Sequence, residues 1–462
     1  MVFPRFKYPT GDPPLGPASL LAYLREHATA VEFKLFDATF NPSFDAIASV
    51  FDEFKPDITG IYCSTLMFDD ALKIACIGKK KDSYVVIGGP HATMAPETLI
   101  SRRFVDAVVL GEGEKPLLHL LNAYPDKKKI ASHPSIITRD ARYRDVTDLA
   151  SHACLDLIEN LDDLPVPAYD LLEMNKYIDN WFQMDAISPD LRGTNVIVSR
   201  GCPYACSFCQ PTLNKIFGEQ VRYRSPSRVV EEIALLRRMY RINSFILTDD
   251  TPTFNPRWMR EFVSELKKKR LNMVWGCNTR VGLLPDPLLN EMKLAGFKRV
   301  MVGIESGSQR ILDDVYHKGI TLHHVPAFIS RMKSAGMKIF AYFMIGAPTE
   351  TKREIKSTID LAFALPIDEA TFSITTPLPG TFLAEKIRSD GYSISSPFSR
   401  YDYYSTLIYD QGIGSFTMRS YQRVAFLKFY LHPRRWSFLL RMVSSRRGIK
   451  KAMLKLKRII EI

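Results

Sequence analysis

Ser199-Arg200-Gly201-Cys202-Pro203-Tyr204-Ala205-Cys206-Ser207-Phe208-Cys209 sets three cysteines on one loop, with three residues and then two between them. An apolar run, 194–198, precedes the loop and reads as a buried strand. Three thiolates so close can converge on one inorganic centre. Iron–sulfur clusters are held by cysteine thiolates, and a four-iron cube with three protein ligands keeps one iron open. Catalysis needs an open metal position, whereas structural sites are closed. The competing reading is zinc, but zinc usually takes four nitrogen or sulfur ligands, and no fourth Cys or His lies in this loop.

Outward from this stretch the chain repeats strand then helix. Strands are expected at 194–198, 244–248, 273–277, 299–304, 338–344 and 369–374. Ser225-Pro226 reads as a helix start, and Gly296 and Gly336 stand where helices end before the next strand. Successive βα units predict a partial parallel barrel, whose chemistry gathers at the carboxyl ends of the strands. The cysteine loop follows the first of them. Other strand ends carry Asp249-Asp250, Arg280 and Glu305-Ser306. A carboxylate there can accept hydrogen bonds from ribose hydroxyls or an amino group, and a guanidinium can pair bidentately with a carboxylate. These residues could equally form a salt-bridge layer at the barrel mouth. Cys277 falls inside a strand and reads as a packed thiol.

The C-x3-C-x2-C spacing, with the aromatic Phe208 just before the third cysteine, resembles the signature of the radical S-adenosylmethionine (SAM) enzymes. The resemblance covers about 194–385. It implies a [4Fe–4S] cluster on Cys202, Cys206 and Cys209, with SAM chelating the open iron and cleaved to a 5′-deoxyadenosyl radical. It implies SAM contacts from Phe208, Asp249, Arg280, Glu305 and Ser306, and a flavodoxin or ferredoxin as electron donor. A methylthiotransferase would need a second set of three cysteines near the N-terminus, which Cys63 and Cys76 do not supply.

The first part of the chain alternates short β runs (31–36, 57–62, 84–87, 107–110) with helical stretches (17–26, 44–54, 69–78, 114–123). That alternation predicts a parallel sheet covered by helices, with ligands at the carboxyl ends of its strands. Gly88-Gly89-Pro90-His91 and Gly111-Glu112-Gly113 lie at those ends, where glycine permits positive φ and close approach of a ligand. With Pro13-Pro14-Leu15-Gly16, these turns resemble the cobalamin-binding domain fused ahead of many radical SAM enzymes. The resemblance implies cobalamin contacts from Ser64, Thr65, Gly88, Gly89, Pro90, His91, Gly111 and Glu112. The Asp-x-His-x-x-Gly loop that gives cobalt an axial His is absent, so His91 is expected to line the pocket without an axial role. Met1-Val2-Phe3-Pro4 reads as the end of a first strand.

The expected fold is α/β: a Rossmann-like (flavodoxin-like) parallel sheet over 1–125, a linker over 126–192, a partial (β/α)6 TIM-type barrel over 193–385 and a basic helical tail over 386–462. In the linker, Trp181 and Phe182 could line a substrate entrance or simply pack. Hydrophobic content of 46% and charged content of 24% are those of a globular chain. The odd count of 7 cysteines suits a reducing compartment better than a disulfide framework. No signal peptide or membrane-length apolar run is visible, so the expected location is cytoplasmic.

The net charge of +12 belongs wholly to the tail from Ser415 onward, and it is no nucleic-acid footprint spread over the fold. There, basic residues alternate with aromatics and leucines at 426–443 and again at 450–460. That pattern suits either helices packed on the barrel or a helix on the inner, anionic face of a membrane. The resemblance implies cobalamin-dependent methylation of an unactivated carbon in a small molecule or lipid. Rearrangement, cyclisation or oxidation without methyl transfer stays open, as does a non-catalytic binding module.

Overall fold

A computed structural model describes residues 1–6, 9–139, 155–394, 397–408, 412–436, 440, 442, 445 and 447–453. Cys154 and most of the basic stretches at 437–446 and 454–460 lie outside the described residues.

The first sheet has the strand order β2-β1-β3-β4-β5-β6. Its strands are β1 (Val2–Phe3), β2 (Phe36–Asp37), β3 (Ile58–Tyr62), β4 (Tyr84–Gly88), β5 (Ala107–Val109) and β6 (Ile136–Thr138). β1 to β5 are parallel in the flavodoxin-like order, and β6 joins the edge antiparallel to β5. Helices Leu15–His27, Phe44–Phe54, Phe68–Lys80 and Glu114–Ala123 lie where the hydrophobic pattern puts them. The centre of this sheet, Val85, Ile87 and Val108, is fully buried because helices cover it.

Two expectations change here. The strand read over 31–36 shrinks to Phe36–Asp37, since β1 offers backbone partners only through Val2 and Phe3. The stretch 126–192 is more than a connection, because it supplies β6. Trp181 settles its two readings in favour of packing. It is 1% exposed and lies with Met184 against Ile246 and Met301. Its Nε1 donates to Asn195 Oδ1 at 2.9 Å. Gly193 is required beneath it, because a Cβ there would stand 2.0 Å from the Trp181 ring.

The second sheet begins with β7 (Gly193–Val196). A short antiparallel pair, β8 (Ser199–Arg200) and β9 (Arg222–Tyr223), brackets the cysteine loop. β10 (Ser244–Leu247), β11 (Val274–Thr279), β12 (Phe297–Glu305), β13 (Lys338–Ile345) and β14 (Glu369–Ile374) then follow. They lie in sequence order, all parallel, as a curled partial barrel. Alternate residues (Phe245 and Leu247, Val300 and Val302, Phe343 and Ile345) face the outer helices and form one core with them. Cys277 is part of that core. The helix Pro226–Tyr240 starts behind Ser225, and Gly296 and Gly336 adopt the positive φ that helix ends use.

Helix Ser415–Tyr430 packs on the barrel through Met418, Gln422, Ala425 and Phe429. Gln422 Nε2 donates to Phe372 O at 2.7 Å. Farther along, Lys451 Nζ meets Asp185 Oδ1 at 2.8 Å, both side chains being buried. The described part of the tail is therefore docked on the barrel. No helix of the described residues is long and apolar enough to cross a membrane.

Candidate active site

The cysteine loop leaves the carboxyl end of the first barrel strand and is tied down from three sides. From the second strand, buried Asp249 takes the backbone N–H of Val198 at 3.0 Å and that of Ser199 at 2.5 Å, with the Ser199 hydroxyl at 2.8 Å. Burial pushes this carboxyl up to about 6, against the pull of those donors. From the loop after β12, the carbonyls of Tyr316 and Val315 accept from the backbone N–H and hydroxyl of Ser207. From the helix Phe382–Ser389, the first N–H groups bond Ser207 O at 2.9 Å and Gln210 O at 2.8 Å. The thiols themselves are not spent on disulfides. Burial raises Cys202 and Cys209 above the usual thiol range.

Around the thiols stand cations and rings. Arg280 Nη1 lies 3.8 Å from Cys206 Sγ, with its guanidinium 4.0 Å from the centre of the Tyr204 ring. Lys318 Nζ pairs with Glu305 Oε1 at 2.8 Å and stands 5.7 Å from the centre of the Phe208 ring. Phe208 in turn sits edge-on to Tyr316, 5.5 Å away. Glu305 has φ +70°, at a bulge between β12 and β13. Its carboxylate folds back over Gly303, where a Cβ would meet Oε1 at 2.1 Å.

Phe208, Arg280 and Glu305 thus converge on the cysteine loop. Asp249 and Ser306 do not. Asp249 is turned to the backbone entering the loop, and Ser306 is buried, its Oγ 3.3 Å from Thr358 Oγ1. Asp250, beside Asp249, stands at the open side of the cysteine loop, where burial raises its pKa against the pull of Lys318 and its charge acts on Cys202 and Cys209. Among the described residues no three His, Cys, Asp or Glu side chains close on a single ion. A four-iron cube asks for something different, one thiolate at each of three corners, and the donor set of three unpaired thiols fits it.

Beside this loop lies a cavity of about 410 Å³. Tyr62, Gly88, Gly89, Pro90, Gly111 and Glu112 form its wall at the strand ends of the first sheet, and Ile197, Arg200, Thr212 and Ile216 face them from the cysteine-loop side. Gly89 needs its φ of +108°, and a Cβ there would press on Cys63 O at 2.8 Å. The hydroxyls of Thr212, on the wall, and Ser64, after β3, are buried without a hydrogen-bond partner. A glycine-walled apolar recess with the unspent hydroxyl of Thr212 on its wall fits a large ring that carries amide side chains.

Ser64 and Thr65 do not line this cavity. Nor does His91, contrary to expectation. Its ring is buried against Phe68 and Phe398, with Nδ1 3.0 Å from Thr65 Oγ1 and Nε2 3.0 Å from Thr98 Oγ1. Burial pulls its pKa down to about 4. With both ring nitrogens bonded, His91 is a packed element of the turn.

Sequence reasoning missed the link between the two halves of the site. Glu112, 6% exposed, receives Arg200 at 3.0 Å, Arg222 at 2.6 Å and the N–H of Ile158 at 2.9 Å. Glu114 receives the other arm of Arg200 at 2.5 Å. Arg200 stands two residues before Cys202, which was the available signal; its partners lie too far back in the chain to be read from spacing. Lys318 was also missed; it lies in the loop after the strand that ends at Glu305, beyond the turn Ile311–Val315, too far along to be read from spacing.

Comparison with known proteins agrees with this layout. Residues 196–362 match the radical SAM superfamily and residues 8–121 match the B12 binding domain. The chain is 33% identical over 429 residues to an uncharacterized methyltransferase of Pyrococcus horikoshii, covering 92% of this chain and 89% of that one. It is 30% identical over 380 residues to the anaerobic magnesium-protoporphyrin IX monomethyl ester cyclase of Rubrivivax gelatinosus, covering 81% of this chain and 66% of that one. Its fold is shared with the radical SAM methyltransferase TsrM of Kitasatospora setae, solved with cobalamin and a [4Fe-4S] cluster, at TM-score 0.67 and 18% identity over 84% of this chain and 77% of that one. The chain belongs to the radical SAM superfamily, in the group that carries a B12 binding domain ahead of the barrel.

Proposed function

We propose that this enzyme is a cobalamin-dependent radical SAM methyltransferase acting on an unactivated carbon of a small molecule or lipid. The observation that carries the reading is the shared wall. The cavity of the B12 binding domain is closed by Ile197, Arg200 and Thr212, which flank the cysteine loop on both sides. The methyltransferase relative supports the same reading. When bound, the cluster with SAM supplies a carbon-centred radical, and cobalamin supplies a methyl group.

The chain's own residues bind, orient and exclude water. Cys202, Cys206 and Cys209 would hold the cluster. Arg280 and Lys318 place positive charge beside it, where it lowers the energy of the more reduced, more negative state. Glu305, Arg280 and Phe208 would hold the amino, carboxylate and adenine parts of SAM. Gly88, Gly89 and Gly111 let the corrin approach the backbone. Ser306 and Asp249 support the site from behind. A flavodoxin or ferredoxin would deliver the electron, and the C-terminal region would rest on a membrane.

The test is anaerobic reconstitution with iron, sulfide and hydroxocobalamin, followed by turnover with methyl-deuterated SAM. Wild type should show cluster absorption, retained cobalamin and 5′-deoxyadenosine. The Cys202→Ala, Cys206→Ala and Cys209→Ala triple variant should lose the cluster and SAM cleavage. A product heavier by a labelled methyl group identifies methylation. The cyclase relative favours a second reading, oxidation or cyclisation, and a product without added label would select it.

A further inference from the structure

Helix Ser415–Tyr430 presents two apolar faces, and the barrel uses only one. Met418, Gln422, Ala425 and Phe429 lie against the barrel. On the opposite side Phe416 is 83% exposed, Val424 51%, Leu427 55% and Leu431 63%. At about 100° per residue these four fall within an arc of roughly 80°. Arg419 and Arg423, both exposed, border the arc on one side; Lys428, on the other side, is ion-paired with Asp360 of a barrel helix at 2.5 Å. Beyond the helix, Trp436 and Leu440 continue the exposed surface at 55% and 67%.

Scattered exposed apolar residues need no explanation, but four on one arc of a helix, with Ser420 as the polar residue among them, mark a contact surface. The charge on its borders selects the contact. The chain from Ser415 on carries all of the protein's excess positive charge. Several of those cations are committed to the protein itself: Lys451 to Asp185, Lys428 to Asp360, and Arg435 to the carbonyls of Phe429, Ala362 and Leu365. Arg419 and Arg423 stand instead beside the stripe. An apolar arc edged by two arginines, with a Trp at its end, is complementary to the headgroup boundary of an anionic bilayer.

We propose that the Phe416–Leu431 stripe is a membrane-docking surface that seats the enzyme on an anionic lipid bilayer. The proposal sharpens the membrane contact given above. It assigns the anchoring to the outer face of this one helix and leaves the buried cations Arg435 and Lys451 as barrel contacts. It does not depend on the radical chemistry. Because apolar insertion and charge act together, binding should weaken with added salt without vanishing.

The full chain, purified anaerobically, is floated with vesicles of phosphatidylcholine alone and of phosphatidylcholine mixed with phosphatidylglycerol. Iron content and SAM cleavage are measured on the same samples, so a failure of docking is distinguished from a failure of the cluster reading. Wild type should float with the mixed vesicles at least tenfold more than with phosphatidylcholine alone. The Phe416→Ser, Leu427→Ser, Leu431→Ser triple variant should lose at least tenfold with iron content unchanged. Arg419→Glu with Arg423→Glu should abolish the preference for anionic lipid. Wild type remaining in the vesicle-free fraction would overturn the proposal, as would a triple variant that floats like wild type. So would a dimer that the triple variant dissociates while vesicles bind neither form, because the stripe would then be covered by a second copy.

Discussion

Asp249→Ala tests how the barrel holds the cysteine loop. The carboxylate accepts the N–H groups of Val198 and Ser199 and the hydroxyl of Ser199, all buried and all within a few residues of Cys202. Alanine leaves two buried backbone donors without a partner, each costing about 1–3 kcal/mol, so the loss should be roughly 2–6 kcal/mol. In a unit of the barrel's size that corresponds to a fall in Tm of about 4–24 °C, at about 2–4 °C per kcal/mol. The loop would also lose its register, and iron per chain after reconstitution should drop severalfold. Asp249→Asn keeps an acceptor and should fall between the two. The measurements are calorimetry, iron content and SAM affinity by titration. Unchanged Tm and iron with a weakened SAM affinity would refute this reasoning and return Asp249 to the SAM-contact role that the sequence suggested.

Other perturbations follow from the same geometry. Glu112→Gln uncharges the centre of a buried network between Arg200 and Arg222; it should cost about 3–5 kcal/mol, and the variant should retain less cobalamin after gel filtration. Glu350 is buried and lifted from 4.5 to about 7, although it accepts the N–H groups of Gly346 and Ala347. Its folded pKa is raised, so its contribution is fully present below pH 4.5 and lost as pH rises through about 7. Glu350→Gln should therefore remove about 3 kcal/mol of pH-dependent stability from that window, read from urea melts at several pH values. Glu354 shifts the other way, to about 2 through Arg310, and acts below that window. Trp181→Ala should cost about 3–5 kcal/mol, measured by urea unfolding, because the ring fills the space over Gly193 against Ile246 and Met301.

What could be read from the chain was whatever depends on local rules. The barrel strands announced themselves by apolar runs, and Gly296 and Gly336 marked where helices end. The cysteine spacing identified the loop and the strand it must follow. What could not be read was direction. His91 and Gly88 share one glycine-rich turn, yet Gly88 faces the cavity while the His91 ring turns back into Thr65, Thr98 and Phe68. Asp249 and Glu305 both end barrel strands, yet one is consumed by backbone donors and the other stands among the cluster-side cations. Spacing places a residue at a strand end; the neighbours that capture its side chain come from other parts of the chain. β6 escaped for a related reason, since three residues of an edge strand carry little periodic signal.

The buried ion pairs between the two halves deserve a physical reason, because they are a poor way to gain stability. Taking Glu112, Glu114, Arg200 and Arg222 out of water costs several kcal/mol per ion, and apolar packing could join two surfaces more cheaply. Ion pairs gain in direction what they lose in energy. A guanidinium held by two carboxylates has one orientation, and Arg200 is held by Glu112 and Glu114 together. The segment Phe398–Tyr403 adds a second fixed point: Phe398 packs against Phe68 and His91 of the first domain, and Tyr403 O accepts from Ile374 N of β14. With its cofactors bound, the cysteine loop would supply a radical and the B12 binding domain a methyl group, and the shared wall would hold the two close while keeping water and oxygen out. Proximity of that kind requires the wall of the B12 binding domain and the cysteine loop to keep a fixed relation, and orientation at such a site contributes more to rate than added stability would.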